Sequence, residues 1–286
     1  MSIASRTLRV KRPAVMVHSS EPLLTHPVSQ ACTQAQMAEP AYRYWCSRIH
    51  EVPKSHRKQW EFCYILQSVA REGMLAPGLR GLGFGVGGEP LTALFAAHGI
   101  TVTATDLEHD RAHEQGWVDT DQHAQGKHTL NDRGICDPDV FERLVSFRHT
   151  DMNAIDPDLR DFDFCWSACA LEHLGSIDLG LRFIANSLDT LRPGGLAVHT
   201  TEFNCNSDSD TLDNASTVLF RRRDFTGFAK TMADAGHTLA FNFDLGDQPL
   251  DQHIDVAPYS ADKHLKLLIA GYTTTSFGII IRKGIS

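Results

Sequence analysis

The chain has 286 residues, 42% of them hydrophobic, enough for one large core or two small ones, and a formal net charge of -8, which argues against a general nucleic-acid binder. Seven cysteines without a CxxC pair exclude a disulfide framework and a zinc ribbon, and point to reduced thiols in the cytoplasm. No apolar run reaches the roughly 18 residues of a membrane span.

Residues 1–20 lack the apolar segment of a signal peptide, and residues 1–40 are rich in Ser, Pro and Thr, so this stretch reads as a poorly ordered leader. Residues 41–74 read as an N-terminal helical extension, with Trp60, Tyr64 and Val69 near helical spacing and Gly73 as the stop. From residue 75 to 286 strand-like runs alternate with amphipathic ones. The strands are expected at Leu79–Phe84, Thr101–Thr105, Val145–Arg148, Phe162–Ser167, Leu196–Glu202, Thr238–Asp244 and Ser276–Arg282. Helices are expected from Pro90, Asp110, Asp137, Ile177 and Asp224. Such alternation predicts a mostly parallel sheet covered on both faces.

The stretch "RGLGFGVGGEP" reads strand, glycine turn, helix, a geometry that aims backbone amides and a helix N-terminus at a ligand. The next strand, "TVTATD", ends on Asp106, nineteen positions after Gly87. An acid there accepts the hydroxyls of an adenosine ribose.

Six stretches in order resemble class I S-adenosylmethionine-dependent methyltransferases over roughly residues 75–283: "GLGFGVGG", "TATDLE", "HTDMNAI", "DFDFCWSACALEHLG", "LRPGGLAVHTTEF" and "TTSFGIIIRKG". The resemblance implies a Rossmann-like, mostly parallel seven-stranded sheet with helices on both faces, and S-adenosyl-L-methionine as cofactor. It implies that Gly83, Gly85 and Gly87 line the methionine end and that Asp106 binds ribose. Asp151 would accept the adenine amino group, Met152 would pack on the ring, and Ser167 would sit near the methionine moiety. The acid usual in the family two positions before the first glycine is replaced by Gly81, so the amino group of the cofactor would be held differently, with Glu89 as the candidate substitute.

Two other readings share the glycine turn. A nicotinamide-dependent oxidoreductase needs a hydride-transfer site near the strand ends, and "LRPGG" before a strand is not a feature of that class. A non-catalytic adenosyl-nucleotide-binding module leaves the polar residues at the strand ends without a role. Those residues make His173 the first candidate general base and Glu202 the second, for O-methylation of a small-molecule acceptor such as a sugar or natural product. Glu172 and His173 in "ALEHL" also resemble the metal-site stretch of ubiquinone-type O-methyltransferases. No second carboxylate precedes them by a helical turn, so no metal is expected. His109 and His113 have ligand spacing on a helix. Residues 117–137 and 246–273 form long insertions expected to shape the acceptor pocket, with His253, Asp255 and Tyr259 as candidate contacts. Arg221–Arg223 is a candidate for steering an anionic acceptor. No nucleic-acid or membrane partner is expected.

Overall fold

The computed structural model describes residues 15–108 and 126–285. The N-terminal part contains β1 (Met16–His18), β2 (Ser29–Ala31), α1 (Gln34–Ala38), α2 (Pro40–Arg48), β3 (Ser55–His56) and α3 (Arg57–Arg71). There follow β4 (Arg80–Phe84), α4 (Leu91–Ala97), β5 (Thr101–Asp106), α5 (Pro138–Leu144), β6 (Val145–His149), β7 (Phe162–Ala168) and α6 (Ile177–Ser187). The last third holds β8 (Leu191–Asn204), α7 (Arg222–Asp234), β9 (Ala240–Asn242), α8 (Pro249–Gln252), β10 (Ile254–Asp255), β11 (Lys263–His264), β12 (Lys266–Ile269) and β13 (Tyr272–Arg282). Each of the seven expected strands is present, as β4 to β9 and β13. The helix expected from Asp110, with His109 and His113, lies outside the described residues.

The sheet runs β6-β5-β4-β7-β8-β13-β2-β9-β1, with β12 on β13 and β10 on β12. Strands β6, β5, β4, β7 and β8 are parallel, and β13 is antiparallel to β8. This is a Rossmann-like α/β sheet enlarged at one end. One face packs under α2, α3, α4 and α5 around Trp60, Phe95 and Trp166. The opposite face packs under α6 and α7 around Phe183, Phe225 and Phe277. Because β5 lies on one side of β4 and β7 on the other, the chain switches direction across the sheet there. That switch opens a crevice beyond the carboxyl ends of these strands.

The helix ends follow local chemistry. Ser176 caps α6 by accepting from Leu179 N at 3.2 Å, and Asp137 caps α5 with Pro138 in its first turn. Asp224 is the third residue of α7 rather than its first; its carboxylate reaches back to the amide of Arg221 at 2.8 Å.

The reading of residues 1–40 as a poorly ordered leader is corrected from Val15 onward. Strand β2 is wholly buried between β13 and β9, antiparallel to the first and parallel to the second. The Gln36 side chain holds it there: its amide donates to Ala31 O at 2.8 Å, and its oxygen accepts from Gln30 at 2.7 Å and Trp60 Nε1 at 2.9 Å. No described helix is long and apolar enough to cross a membrane.

Candidate active site

The glycine turn leaves β4 with Gly85 at φ +57° and Gly87 at φ +48°, values that glycine adopts without steric cost. Three hydrogen bonds strap the turn to β5. Val86 N donates to Thr105 O at 3.1 Å, Gly87 N to Asp106 Oδ2 at 3.0 Å, and Thr105 Oγ1 to Gly83 O at 2.8 Å. Asp106 also accepts from Leu107 N at 2.8 Å. The acid and the glycines therefore form one rigid wall.

That wall borders a cavity of about 1010 Å³. Gly85, Gly87, Asp106, Asp151, Met152 and His173 all line it, so six of the nine residues expected at the site come together. Met152 approaches the turn closely: a Cβ at Gly85 would lie 3.3 Å from its sulfur and 3.0 Å from Ala170. Asp151 accepts from Asn153 N at 2.8 Å.

Three expected residues are placed elsewhere. Gly83 underlies the turn, where a Cβ would meet Trp166 at 2.5 Å and Val86 at 2.6 Å, so its function is close packing. Ser167 points to the opposite face of the sheet. Its hydroxyl lies 2.9 Å from His199 Nδ1, and His199 Nε2 lies 3.1 Å from Ser187 on α6. Burial alone lowers the His199 pKa to about 3, so this buried link is neutral. Strand alternation gives the cavity to the next residue, Ala168. Glu202, the second candidate base, is absent from the cavity wall and is 2.5 Å from Arg57 Nη2.

After Ala168 the backbone turns sharply at Cys169, which holds φ +51° without being glycine. Its amide is tied to Thr200 O and to Thr200 Oγ1, each at 3.1 Å. Sparsely populated backbone of this kind clusters at binding and catalytic sites. The turn leads into a 3₁₀ segment, Leu171–His173. His173 Nδ1 lies 2.8 Å from Ser216 O. A carbonyl only accepts, so Nδ1 carries the proton, and in the neutral ring Nε2 holds the lone pair. Glu172 Oε1 is 3.8 Å from that Nε2. Burial raises the pKa of Glu172 above the carboxylate range, opposed by His173 and Lys58.

Behind this wall lies a buried charge cluster that joins α3 to the sheet. Arg57 pairs with Glu202 and, at 3.5 Å, with Glu61. Glu61 accepts from Thr200 at 2.8 Å and Ser276 at 2.5 Å, and Thr274 donates to Glu202 at 3.0 Å. Burial opposes ionisation of Glu202, but Arg57 and Lys58 hold its pKa below the ordinary value. Cys169, Glu172 and Glu202 bring ligand-type atoms within 4.8 Å of one another, the one such group among the described residues. Arg57 contacts both Glu202 and Cys169 Sγ (3.8 Å), so a guanidinium already supplies the positive charge there.

Sequence reasoning missed Lys58, Glu61 and Phe62 of α3, and Asn214–Ser216, all of which line the cavity. The signal was present in α3. Glu61 is polar yet sits among the apolar positions Trp60, Cys63 and Tyr64, and it is wholly buried. The late insertion does not reach the cavity. Asp255 instead binds His264 Nδ1 at 2.7 Å, and Tyr259 donates to Leu268 O at 2.9 Å. Of the arginine run, Arg221 binds Asp224 at 2.9 Å and Arg222 lies over the Phe243 ring at 5.1 Å.

No protein-family model and no curated protein matches the chain. Among solved structures, phosphoethanolamine N-methyltransferase 2 of Haemonchus contortus, in complex with S-adenosyl-L-methionine, is 19% identical, with a TM-score of 0.43. That alignment covers 70% of this chain and 41% of the other, so the chain spans about two fifths of that protein's length. The 1,6-didemethyltoxoflavin-N1-methyltransferase of Burkholderia thailandensis, with bound S-adenosylhomocysteine, is 18% identical over 88% of this chain and 81% of its own, with a TM-score of 0.43.

Proposed function

We propose that this protein is an S-adenosylmethionine-dependent methyltransferase that O-methylates a small-molecule acceptor, of the sugar or natural-product class. The observation that carries the reading is the wall formed by the glycine turn and Asp106, joined by the 3.0 Å bond from Gly87 and open to a cavity large enough for a nucleoside ligand and an acceptor. The residues fit the cofactor. Asp106 places a carboxylate, an acceptor suited to ribose hydroxyls, on the cavity wall. Asp151 and Met152 offer an acceptor and a flat apolar contact for adenine, and Gly85 leaves the room that a side chain would fill.

When bound, S-adenosylmethionine supplies an electrophilic methyl group. The chain's own tasks are to align the acceptor oxygen with that group and to remove its proton. His173 Nε2 takes the proton, while the bond from Nδ1 to Ser216 fixes the ring. The Glu172 carboxyl lies 3.8 Å from that nitrogen. Lys58 and Asn214–Ser216, which also line the cavity, orient the acceptor. Glu202, engaged by Arg57, holds α3 in place and does not act as a base. Seven free cysteines, six of them buried, suit a reducing cytoplasmic setting.

Titration calorimetry tests the cofactor. S-adenosylmethionine and S-adenosylhomocysteine should bind, and NAD should bind far more weakly. Asp106→Ala removes hydrogen bonds to a charged acceptor worth about 1.5–3 kcal/mol each and should weaken binding at least about tenfold. Unchanged affinity in a folded Asp106→Ala protein would remove Asp106 from the site.

With Arg57 acting as the cation of the carboxylate cluster, the reaction needs no divalent metal. Turnover should therefore persist after exhaustive EDTA treatment. Activity lost to the chelator and regained with one added divalent ion would make Glu172 and His173 ligands instead.

A further inference from the structure

Helices α2 and α3 bring two thiols into contact. Cys46 Sγ and Cys63 Sγ lie 3.7 Å apart, and both residues are wholly buried. Among the described residues this is the one contact between two cysteine sulfurs, although the chain has seven free cysteines. The register that produces it is set one helical turn earlier on each helix, where Tyr42 donates to Gln59 Oε1 at 2.8 Å. Trp45, beside Cys46, donates to Gln67 Oε1 at 2.7 Å, one turn beyond Cys63. The sulfurs are held between these two cross-helix bonds.

From 3.7 Å to the roughly 2.05 Å of a disulfide the sulfurs must approach by about 1.7 Å. Helix α3 is fixed to the sheet by the Arg57–Glu202 pair and by the bonds of Glu61 to Thr200 and Ser276. Helix α2 has one face in solvent, where Tyr44 is half exposed, so it is the element that gives. The two thiols are not equivalent. The hydrogen bond from Cys63 lowers the pKa of Cys46 below the ordinary thiol value, against burial, whereas burial pushes Cys63 up. Cys46 is thus suited to attack and Cys63 to resolve.

We infer that Cys46 and Cys63 are an oxidisable dithiol, which a peroxide closes into a disulfide that clamps α2 to α3. The Cys46 thiolate attacks one oxygen of hydrogen peroxide and the O–O bond breaks. The departing hydroxide takes up the proton that Cys46 gave off and leaves as water. Cys46 is then a sulfenic acid. Cys63 attacks that sulfur, the S–O bond breaks, and the hydroxide leaves with the Cys63 proton as a second water. The thiols lose two electrons, and one peroxide becomes two waters. Burial makes the reaction slow, because peroxide enters only when α2 opens locally. The new bond joins positions 17 apart, restricts the unfolded chain and so stabilises the fold. It fastens the helix that supplies Lys58, Glu61 and Phe62 to the cavity wall.

Hydrogen peroxide treatment of the whole folded chain, followed by peptide mapping without reductant, tests this. The map should show one intramolecular cross-link, between the peptides holding Cys46 and Cys63, and dithiothreitol should restore both thiols. Urea below the unfolding transition should speed the closure, since it favours opening of α2. The oxidised protein should unfold at a higher urea concentration than the reduced one. Cys46→Ala and Cys63→Ala should each abolish both the cross-link and that gain. If either variant fails to fold, the map of the natural protein still decides. Both thiols intact even in mild urea, Cys46 carried to sulfinic acid without the cross-link, or pairing with a different cysteine would each overturn the dithiol. A Cys46–Cys63 cross-link that lowers the urea midpoint would overturn the clamp.

Discussion

His173→Ala should lower turnover by roughly 10²–10⁴-fold, the range for loss of a positioned general base, and leave S-adenosylmethionine affinity nearly unchanged. The size of the effect follows from the placement of the ring. Nδ1 is committed to the Ser216 carbonyl at 2.8 Å, which leaves the basic nitrogen on the ring edge that also approaches Glu172. The same contact offers a purely structural role, in which His173 only anchors the Asn214–Ser216 segment. His173→Asn separates the two. Its amide can still donate toward Ser216, but it cannot accept a proton at neutral pH. The Asn protein should be as slow as the Ala protein. Recovery of turnover in the Asn protein, measured on a true acceptor, would make the residue a positioning one and leave the base to be found.

Arg57→Met should destabilise the fold by about 3–5 kcal/mol, the cost of leaving a buried charge uncompensated. The Arg57 side chain is 7% exposed and that of Glu202 4%, so solvent offers the abandoned carboxylate little. Adding Glu202→Gln removes the orphaned charge, and the double variant should recover a large part of the loss in urea denaturation. The pH dependence has a definite sign. Glu202 has a folded pKa below its unfolded one, so its contribution is present above the unfolded carboxylate range and is lost as pH falls through the lowered value. The stability gap between the natural protein and the double variant should be constant near neutrality and shrink below about pH 4. A loss under about 1 kcal/mol for Arg57→Met would mean that water reaches the cluster.

What was legible in the sequence was local. A strand, a glycine turn and an acid one strand later are each encoded within a few residues, and they gather where expected. Ser167 failed on parity: the strand was located to within a residue, but which face each side chain takes depends on packing against Phe183 and Trp166. Glu202 failed because a strand-end carboxylate looks the same in sequence whether it meets water or an arginine 145 positions earlier. Strand β2 is three residues, Ser-Gln-Ala, with no apolar alternation, and only the edges of β13 and β9 give it a conformation. The cavity-lining face of α3 was hidden for a similar reason. Its helical period is plain, but Lys58 and Glu61 acquire a role only when the helix crosses the ends of β7, β8 and β13.

The seating of β2 also bears on how the protein is made. Ser29 on β2 lies within hydrogen-bonding distance of Ile280 on β13, 251 positions later, with the Ile280 amide 2.9 Å from its hydroxyl. Asn242, beside β2 on β9, donates to Ser20 O across 222 positions. A ribosome delivers the wedge early and the slot late, so the sheet edge cannot close during synthesis of the intervening strands. Contacts of such separation are entropically slow to form. Until they do, β13 and β9 have an open gap between them, where a strand from another copy competes with the chain's own as protein concentration rises. Refolding yield should therefore fall with protein concentration more steeply than it would for a sheet closed by neighbouring segments.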